Sequence, residues 1–265
     1  MAAMAPSFLC PNGCGSLALQ LALSCAECGR TLELDGPYLD FMETEPSSPS
    51  GVGPRLMHSA LLARVYESFW RPMFVSVLGA KRADLNREFR RVRRGLEPAM
   101  GDWISDLSCG PGVMGRRLAD CGAYQGVIGL DLSHVMLMQA ATHAAVEGTR
   151  DFQLIRADIT HQPFLDDSLG GAHAGAALHL WPDVPGALKE TARTLRPGGA
   201  FVASTFFASH RPLVSVGQRL AGRSITTRFF VEKDLRHTLE WAGFVDVRIE
   251  RRASFGLIFA RKTSR

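Results

Sequence analysis

A glycine-rich segment flanked by acids is the part of this sequence whose residue types and spacing point most directly to chemistry. Residues 106–115 read Asp-Leu-Ser-Cys-Gly-Pro-Gly-Val-Met-Gly, and Asp131 ends the next apolar stretch. Glycines let the backbone approach a ligand closely, and the first turn of a helix offers N–H groups without intrahelical partners. A carboxylate in the position of Asp131 can accept hydrogen bonds from both hydroxyls of a ribose. The pattern predicts a turn that binds a nucleoside-containing ligand.

Two kinds of nucleoside cofactor fit this turn. Its three glycines satisfy the G-x-G-x-x-G pattern of nicotinamide dinucleotide sites. S-adenosylmethionine (SAM) is favoured because Asp106 can face a methionine end, while Asp158, after the third strand, can accept from an adenine amino group. An Arg-Pro-Gly-Gly motif at 196–199 then leads into the fifth strand. We expect SAM and its demethylated product to bind and NAD not to bind. The structural alternatives are a ligand-free turn and, for Asp158, a cap or turn residue.

The periodicity of the chain predicts the elements that hold this turn. From residue 101 onward, short apolar stretches alternate with helical patterns, which indicates an α/β domain with a largely parallel sheet covered on both faces. The predicted strands span 103–107, 127–131, 152–156, 171–178, 200–207, 245–250 and 256–260. The predicted helices span 112–119, 133–147, 184–195 and 232–242, with Ser133 as an N-cap, after a helical pattern over 56–96.

Composition divides the chain into three parts and excludes some protein classes. Hydrophobic residues make up 46% of the 265 residues and charged residues 21%, so a packed core is expected and global disorder is not. The net charge of +4 is too small to indicate nucleic acid by itself. We see no apolar stretch near the roughly 18 residues of a membrane span, no secretory signal and no targeting peptide. The predicted parts are a cysteine-rich module over 1–45, a linker and helical lid over 46–98, and the α/β domain over 99–265.

Four cysteines near the amino terminus are spaced as metal ligands. Cys10 and Cys14 form one pair, Cys25 and Cys28 form a second, and a glycine follows each pair. Four thiolates at this spacing suit a tetrahedral structural zinc ion in a ribbon, and a segment this short has little core of its own. Disulfides, free thiols and a partly lost metal site are the alternatives. Cys109 and Cys121 are predicted to be small core residues.

These motifs together resemble the class I SAM-dependent methyltransferases over residues 101–261. More narrowly, the chain is similar to methyltransferases of plant and algal plastids. The most specific match is the run His-Ala-Gly-Ala-Ala-Leu-His-Leu-Trp-Pro at 173–182. Further matches lie at 66–71, 106–110, 127–131, 156–159, 195–199 and 201–206. The resemblance implies a Rossmann-like sheet of seven strands and a plastid location; without it, the cytoplasm is expected.

The resemblance also implies which residues bind SAM. Asp106, Ser108, Gly110 and Gly112 are expected at the methionine end, and Asp131 is expected on the ribose. The rest of the implied cofactor set comprises Leu132, Asp158, Ile159 and Ala176, of which Asp158 and the Ile159 backbone face the adenine. Ser108 stands where many members have glycine, and the segment 208–230, which usually helps to form the acceptor pocket, is short here.

The acceptor side is predicted from the residues after the fourth strand. His179 is the candidate for a general base, with a structural histidine as the alternative, and Trp181 is either a wall of the site or core packing. The apolar character of this run favours a small or lipid-like acceptor under a lid formed by 55–75 and 208–230. An rRNA methyltransferase and a non-catalytic SAM-fold module are the rival functions. The basic run 87–94 is either a solvated helix face or a contact for an anionic partner.

Overall fold

The computed structural model describes residues 8–9, 16–19, 23–25, 28, 31–32, 36–42, 84–208 and 228–264. The predicted linker 46–54, the predicted lid segment 55–75 and most of the segment 208–230 lie outside the described residues. No helix of the described residues is both long enough and apolar enough to cross a membrane.

Twelve strands and five α-helices make up the described part of the chain. The strands are β1 Phe8–Leu9, β2 Ser16–Leu19, β3 Leu23–Cys25, β4 Thr31–Leu32, β5 Leu39–Asp40, β6 Trp103–Leu107, β7 Gly126–Asp131, β8 Phe152–Arg156, β9 Leu169–Ala174, β10 Leu195–Phe206, β11 Phe244–Arg252 and β12 Phe255–Lys262. The helices are α1 Leu85–Gly95, α2 Val113–Asp120, α3 His134–Glu147, α4 Val184–Thr194 and α5 Glu232–Trp241, with short 3₁₀ helices at Glu97–Ala99 and Leu178–Leu180.

The strands form two sheets. The larger has the order β11-β12-β10-β9-β6-β7-β8-β5, in which β12 runs antiparallel to both of its neighbours and the other neighbouring pairs are parallel. The smaller is an antiparallel meander of β1 to β4. The predicted sheet of seven strands is present as β6 to β12. The structure adds an eighth strand, β5, which comes from the predicted amino-terminal module and pairs with β8.

Close packing of small residues holds the helices on the large sheet. A Cβ placed on Gly95 would lie 2.6 Å from the Val202 side chain, so the carboxyl end of α1 touches β10 directly. Val92 and Leu96 on the same face are fully buried. Burial of apolar surface stabilises the fold by about 25 cal/mol for each Å² removed from water. Helix α1 therefore belongs to the core of the α/β domain, although the sequence grouped it with the linker and lid segment.

The predicted elements after residue 101 are confirmed, with two shifts of boundary. Strand β9 ends at Ala174 instead of 178, because the chain turns at Gly175 and at Ala176, whose φ is 51°. Strand β10 begins at Leu195, and the Pro-Gly-Gly motif forms an irregularity between Leu195 and Ala200 within it. The predicted N-cap is also confirmed, since Ser133 Oγ accepts the Met136 N–H at 3.4 Å.

Candidate cofactor and acceptor site

The residues predicted to bind SAM follow the ends of four neighbouring strands. Strands β9, β6, β7 and β8 are adjacent and parallel, so their carboxyl ends meet at one edge of the sheet, which we call the carboxyl edge. Neighbouring strands lie about 4.8 Å apart, so the four strand ends span roughly 14 Å. Ligands of open α/β sheets bind outside this edge. The topology thus offers a shallow platform for an elongated ligand.

The glycine-rich turn contains backbone that only glycine adopts at low cost. Gly110 and Gly112 have φ angles of 55° and 77°, in the left-handed region that favours glycine. A Cβ on Gly115 would lie 2.5 Å from the Phe152 ring and 2.9 Å from an Asp106 carboxylate oxygen, so only glycine lets α2 pack this close to the sheet. A Cβ on Gly110 would meet no atom of a described residue within 4 Å. Among the described residues, the turn is therefore closed on the sheet side and open on the outer side.

Asp131 joins the glycine-rich turn to the beginning of α3. The Gly110 N–H donates to Asp131 Oδ2 at 2.8 Å, and the Ser133 N–H donates to Oδ1 at 2.9 Å. These two bonds fix the orientation of the half-buried carboxylate. Carboxylate oxygens are acceptors only, so Asp131 has the chemistry that a pair of ribose hydroxyls requires.

At the far end of the platform, Asp158 and Arg156 organise the loops after β7 and β8. Asp158 Oδ1 accepts from both the N–H and the hydroxyl of Thr160 at 2.7 Å, which is the turn role that the sequence left open. The Arg156 side chain donates to the Leu132 carbonyl at 3.0 Å and to Asp40 at 3.1 Å. Strand β5 is therefore tied to the loop that follows β7, a link that the sequence analysis missed.

The opposite end of the platform contains a buried pair that the sequence did not predict. His173 Nδ1 lies 2.6 Å from Asp106 Oδ1, and both side chains are almost fully buried. His173 is the only hydrogen-bond partner of the Asp106 carboxylate within the described part of the chain. The two residues are 67 positions apart, but β6 and β9 are paired and place Asp106 opposite His173 in register. Only the sheet order could have revealed this contact.

Two further hydrogen bonds connect the turn to the acceptor side. The Trp181 indole N–H donates to Ser108 Oγ at 2.9 Å, and the Ala176 N–H donates to Ser204 Oγ at 2.8 Å. Ser108 has a φ of 55°, so it keeps the left-handed conformation that a glycine in its place would adopt. Trp181 is 4% exposed and lies in the main core, so it packs in the interior and fixes the turn through its indole.

His179, the predicted general base, lies in the 3₁₀ helix after β9. Its ring meets the Phe206 ring edge-on, with centroids 4.8 Å apart, and Nδ1 has no hydrogen-bond partner among the described residues. Burial lowers the pKa of His179 to about 4. The imidazole is therefore neutral at physiological pH and too weak a base to take a proton efficiently. Its ring nitrogens remain suited to orienting a polar group of an acceptor.

The cysteines divide into two groups. Cys109, at the turn, packs against the core, and burial together with the nearby Asp131 and Asp106 raises the pKa of its thiol, which stays protonated. Cys121 also packs against a core cluster, as predicted. Of the four predicted metal ligands, Cys10 and Cys14 lie outside the described residues, Cys25 ends β3, and Cys28 is exposed. Within the described ranges, no group of three or more potential ligands could hold a metal ion.

Comparison with known proteins identifies the kind of site. A family model described as "Methyltransferase domain" matches residues 104–199, which contain the turn, Asp131 and Asp158. Two uncharacterized chloroplastic methyltransferases of Arabidopsis thaliana are 30% and 32% identical to the chain. The two alignments cover 95% and 96% of this chain, and 74% and 75% of the length of the respective Arabidopsis protein. A demethylmenaquinone methyltransferase of Corynebacterium urealyticum is 35% identical over 44% of this chain and 47% of its own.

The fold has matches among solved structures as well. A phosphoethanolamine N-methyltransferase of Haemonchus contortus, solved with S-adenosylhomocysteine, superimposes with a TM-score of 0.64 at 14% identity. The match covers 78% of this chain and 60% of that protein. At this identity the likeness supports the fold, and the full-length relatives supply the family. The chain belongs to the class I SAM-dependent methyltransferases.

Proposed function

We propose that the protein transfers the methyl group of SAM to a small, largely apolar or lipid-like acceptor that enters over His179, Leu180 and Trp181. The observation that carries this proposal is an aromatic wall at the carboxyl end of β10. Phe206 contacts His179 on one side, and the rings of Phe229 and Phe255 lie 6.4 Å and 5.6 Å from it on the others. A wall of this kind favours flat or hydrocarbon surfaces over charged ones.

Charge supports the same conclusion. The segment 170–186 contains no lysine or arginine, although it borders the proposed opening. Leu180, 40% exposed, adds an apolar side chain at the rim. One of the relatives is named as a demethylmenaquinone methyltransferase, a name that indicates a quinone acceptor. These features together support an apolar acceptor, with RNA and a non-catalytic role as the rival outcomes of the test below.

For SAM itself, we propose the residues that follow the four strand ends. Asp106, Ser108, Gly110 and Gly112 would hold the methionine end, and Asp131 with Leu132 would hold the ribose. The remaining proposed contacts are Asp158 and Ile159 at the adenine and Ala176 beside the methionine end. The left-handed turn, the fixed orientation of the Asp131 carboxylate and the position of Asp158, whose side-chain bonds from described residues all go to Oδ1, support this assignment.

The chemistry asks mainly for positioning. SAM supplies a methyl group already activated by a sulfonium leaving group, so the protein has to align the acceptor and exclude water. The hydrogen bonds from Trp181 to Ser108 and from Ala176 to Ser204 hold the two sides of the opening in fixed positions. The neutral ring of His179 would orient the acceptor by a hydrogen bond without acting as its base.

The test is transfer of labelled methyl groups from SAM to two fractions of one cell extract, the solvent-soluble lipids and the total RNA. We expect label in the lipid fraction, dependent on the protein. Label in RNA alone would establish the rRNA methyltransferase in its place. Binding of SAM by calorimetry without label in either fraction would support the non-catalytic module.

The replacement His179→Phe tests the acceptor side. Phenylalanine keeps the ring that packs on Phe206 but removes both nitrogens, so we expect kcat to fall about 10- to 100-fold while SAM affinity stays within about twofold. His179→Gln restores a hydrogen-bonding group and should recover part of the rate. Exposed His237 offers a matched control, His237→Phe, with no effect on either constant. Unchanged turnover in His179→Phe would leave His179 as a packing residue.

We also propose that Cys10, Cys14, Cys25 and Cys28 bind one structural zinc ion in an amino-terminal module that contains β1 to β4. The α/β domain extends beyond the predicted range 99–265, because it also contains β5 and α1. In the meander, the end of β1 and the end of β3 lie at the same end of the small sheet. Cys10 directly follows β1 in sequence and Cys25 is the last residue of β3. This topology supports two cysteine pairs that converge on one ion.

Metal analysis of the purified chain should find one zinc per molecule. The double variant Cys25→Ser/Cys28→Ser should lose it, and Cys121→Ser, which alters a cysteine of the α/β core, should keep it. A chain without zinc, or equal loss in the control, would refute the proposal.

A plastid location is proposed on the relatives alone. Both Arabidopsis proteins are named chloroplastic. Fluorescent fusions of the chain in a plastid-bearing cell would test this, and an exclusively cytoplasmic signal would contradict it.

A further inference from the structure

An arginine-lined cleft lies between α1 and β11, outside the proposed cofactor and acceptor site. Arg87 and Arg91 of α1 and Arg251 and Arg252 of β11 line it together with Glu250, around a volume of about 220 Å³. Four positive side chains thus face a single negative one. Guanidinium groups in this arrangement match the geometry of phosphate oxygens.

The charge in the cleft is only partly neutralised. Glu250 is shared by Arg91 and Arg248, and Arg251 lies 3.7 Å from Glu232. Arg87 and Arg252 are exposed and form no ion pair with a described residue. Burial lowers the pKa of Arg91, and the neighbouring charges of Arg252, Arg87 and Arg248 lower it further, while Glu88 acts in the opposite direction.

The sheet register locates the cleft beside the acceptor opening. Arg251 and Arg252 pair with Gly256 and Phe255 of β12, and the same two residues pair with Thr205 and Phe206 at the end of β10. The arginines are therefore level with the aromatic wall, two strands or about 10 Å away. Arg251 also stacks on Phe207, 4.9 Å from the ring centroid, and donates to the Ala208 carbonyl at 2.9 Å. The cleft and the opening share the carboxyl edge.

Exposed apolar side chains lie at the same edge. Leu180 follows β9, and Val231, 51% exposed, follows Phe230, which bridges to Phe207 at the end of β10. Arginines beside exposed aliphatic side chains suit an anionic lipid surface, where the charges meet headgroups and the apolar groups enter the interface. Single-stranded RNA would need exposed rings for stacking. Among the phenylalanine, tyrosine and tryptophan side chains of the described ranges, only Trp241 is exposed, and it precedes β11 at the opposite edge.

We propose that this arginine cleft binds the headgroup phosphates of an anionic bilayer and sets the acceptor opening against the membrane surface. The proposal goes beyond methyl transfer, because surface binding requires neither SAM nor an acceptor. Its failure would therefore leave the proposed function intact.

The experiment is co-sedimentation of the full chain with vesicles of phosphatidylcholine alone or of phosphatidylcholine and phosphatidylglycerol in equal parts. We expect binding to the anionic vesicles only, and loss of it near 1 M salt, where the Debye length is about 3 Å. Each arginine near an anionic surface strengthens binding to the vesicles about fivefold. The double variant Arg87→Gln/Arg252→Gln should therefore weaken this binding about 30-fold. Its SAM affinity by calorimetry should be unchanged. Arg150→Gln/Lys189→Gln, which removes the same charge from exposed sites elsewhere, should bind almost normally.

Three outcomes would overturn the proposal. Equal weakening in the two double variants would show that net charge alone drives binding. Displacement from vesicles by inorganic phosphate, at an ionic strength matched with sodium chloride, would identify a site for free phosphate. Tighter binding of a single-stranded RNA oligonucleotide than of anionic vesicles would identify a nucleic-acid surface.

Discussion

Replacement of Asp131 by alanine should weaken SAM binding by roughly 10²- to 10⁴-fold, since two charge-assisted hydrogen bonds to ribose are lost at about 1.5–3 kcal/mol each. The structure adds a second reason for a large effect. The Gly110 and Ser133 N–H groups both donate to this carboxylate, so the turn and the start of α3 lose a shared anchor in the variant. Isothermal calorimetry with SAM and with its demethylated product measures the change.

Two companion variants separate the ribose contact from the anchoring role. Asp131→Asn keeps an oxygen for the Ser133 N–H but removes the charge, and we expect SAM affinity about tenfold below that of the wild type. Asp234→Ala changes an exposed carboxylate on α5 and should have no effect on binding. If Asp131→Ala binds SAM as the wild type does, Asp131 serves the fold alone. Binding of NAD in place of SAM would contradict the assignment of the whole platform.

Replacement of His173 by alanine should lower the free energy of unfolding by about 3–5 kcal/mol. Asp106 is 2% exposed, and the described residues offer its carboxylate no other hydrogen-bond partner than His173. The variant therefore leaves a buried acid without a donor and adds a cavity where the ring was. Because whole domains have stabilities of only about 5–15 kcal/mol, the loss should be plain in urea denaturation.

His173→Asn keeps the measurement interpretable if the alanine variant folds poorly. The asparagine amide can donate in place of the imidazole, so we expect a smaller loss of about 1–2 kcal/mol. SAM affinity should follow the same order, from wild type through asparagine to alanine, because Asp106 flanks the methionine end of the proposed site. The exposed His237→Ala is the matched control and should be neutral. A stability loss for His173→Ala no greater than for His237→Ala would show that the buried contact contributes nothing.

Local patterns predicted the elements on the proposed cofactor side of this protein. The spacing of the glycines predicted a turn that a ligand can approach closely, and the structure gives Gly110 and Gly112 left-handed backbone, which residues without a Cβ adopt at low cost. Alternation of apolar strands with helices predicted the parallel sheet, and parallel strands bring their carboxyl ends to one edge. Asp106, Asp131 and Asp158 could therefore be assigned to one platform before their distances were known. Each turn and strand in these inferences was recognised from residues within a few positions of one another.

The acceptor side depended on contacts between distant segments, which no local pattern encodes. His179 looked like a catalytic base in the sequence, but packing against Phe206 removes water from the ring and lowers its pKa. Trp181 was equally consistent with a site wall and with core, and its role emerged only when its indole was found to donate to Ser108.

The order of the strands and the clustering of charged side chains also depended on contacts between distant segments. Seven strands followed from periodicity, but β5 pairs with β8 across more than a hundred residues, held by Arg156 and Asp40. The basic run on α1 was visible in the sequence as a charged helix face. Helix α1 packs on the sheet so that its arginines lie beside Arg251 and Arg252, and together they line a cleft. The sequence alone did not show this proximity. Residue types determined the chemistry available, and tertiary packing decided which groups lost water and which acquired partners.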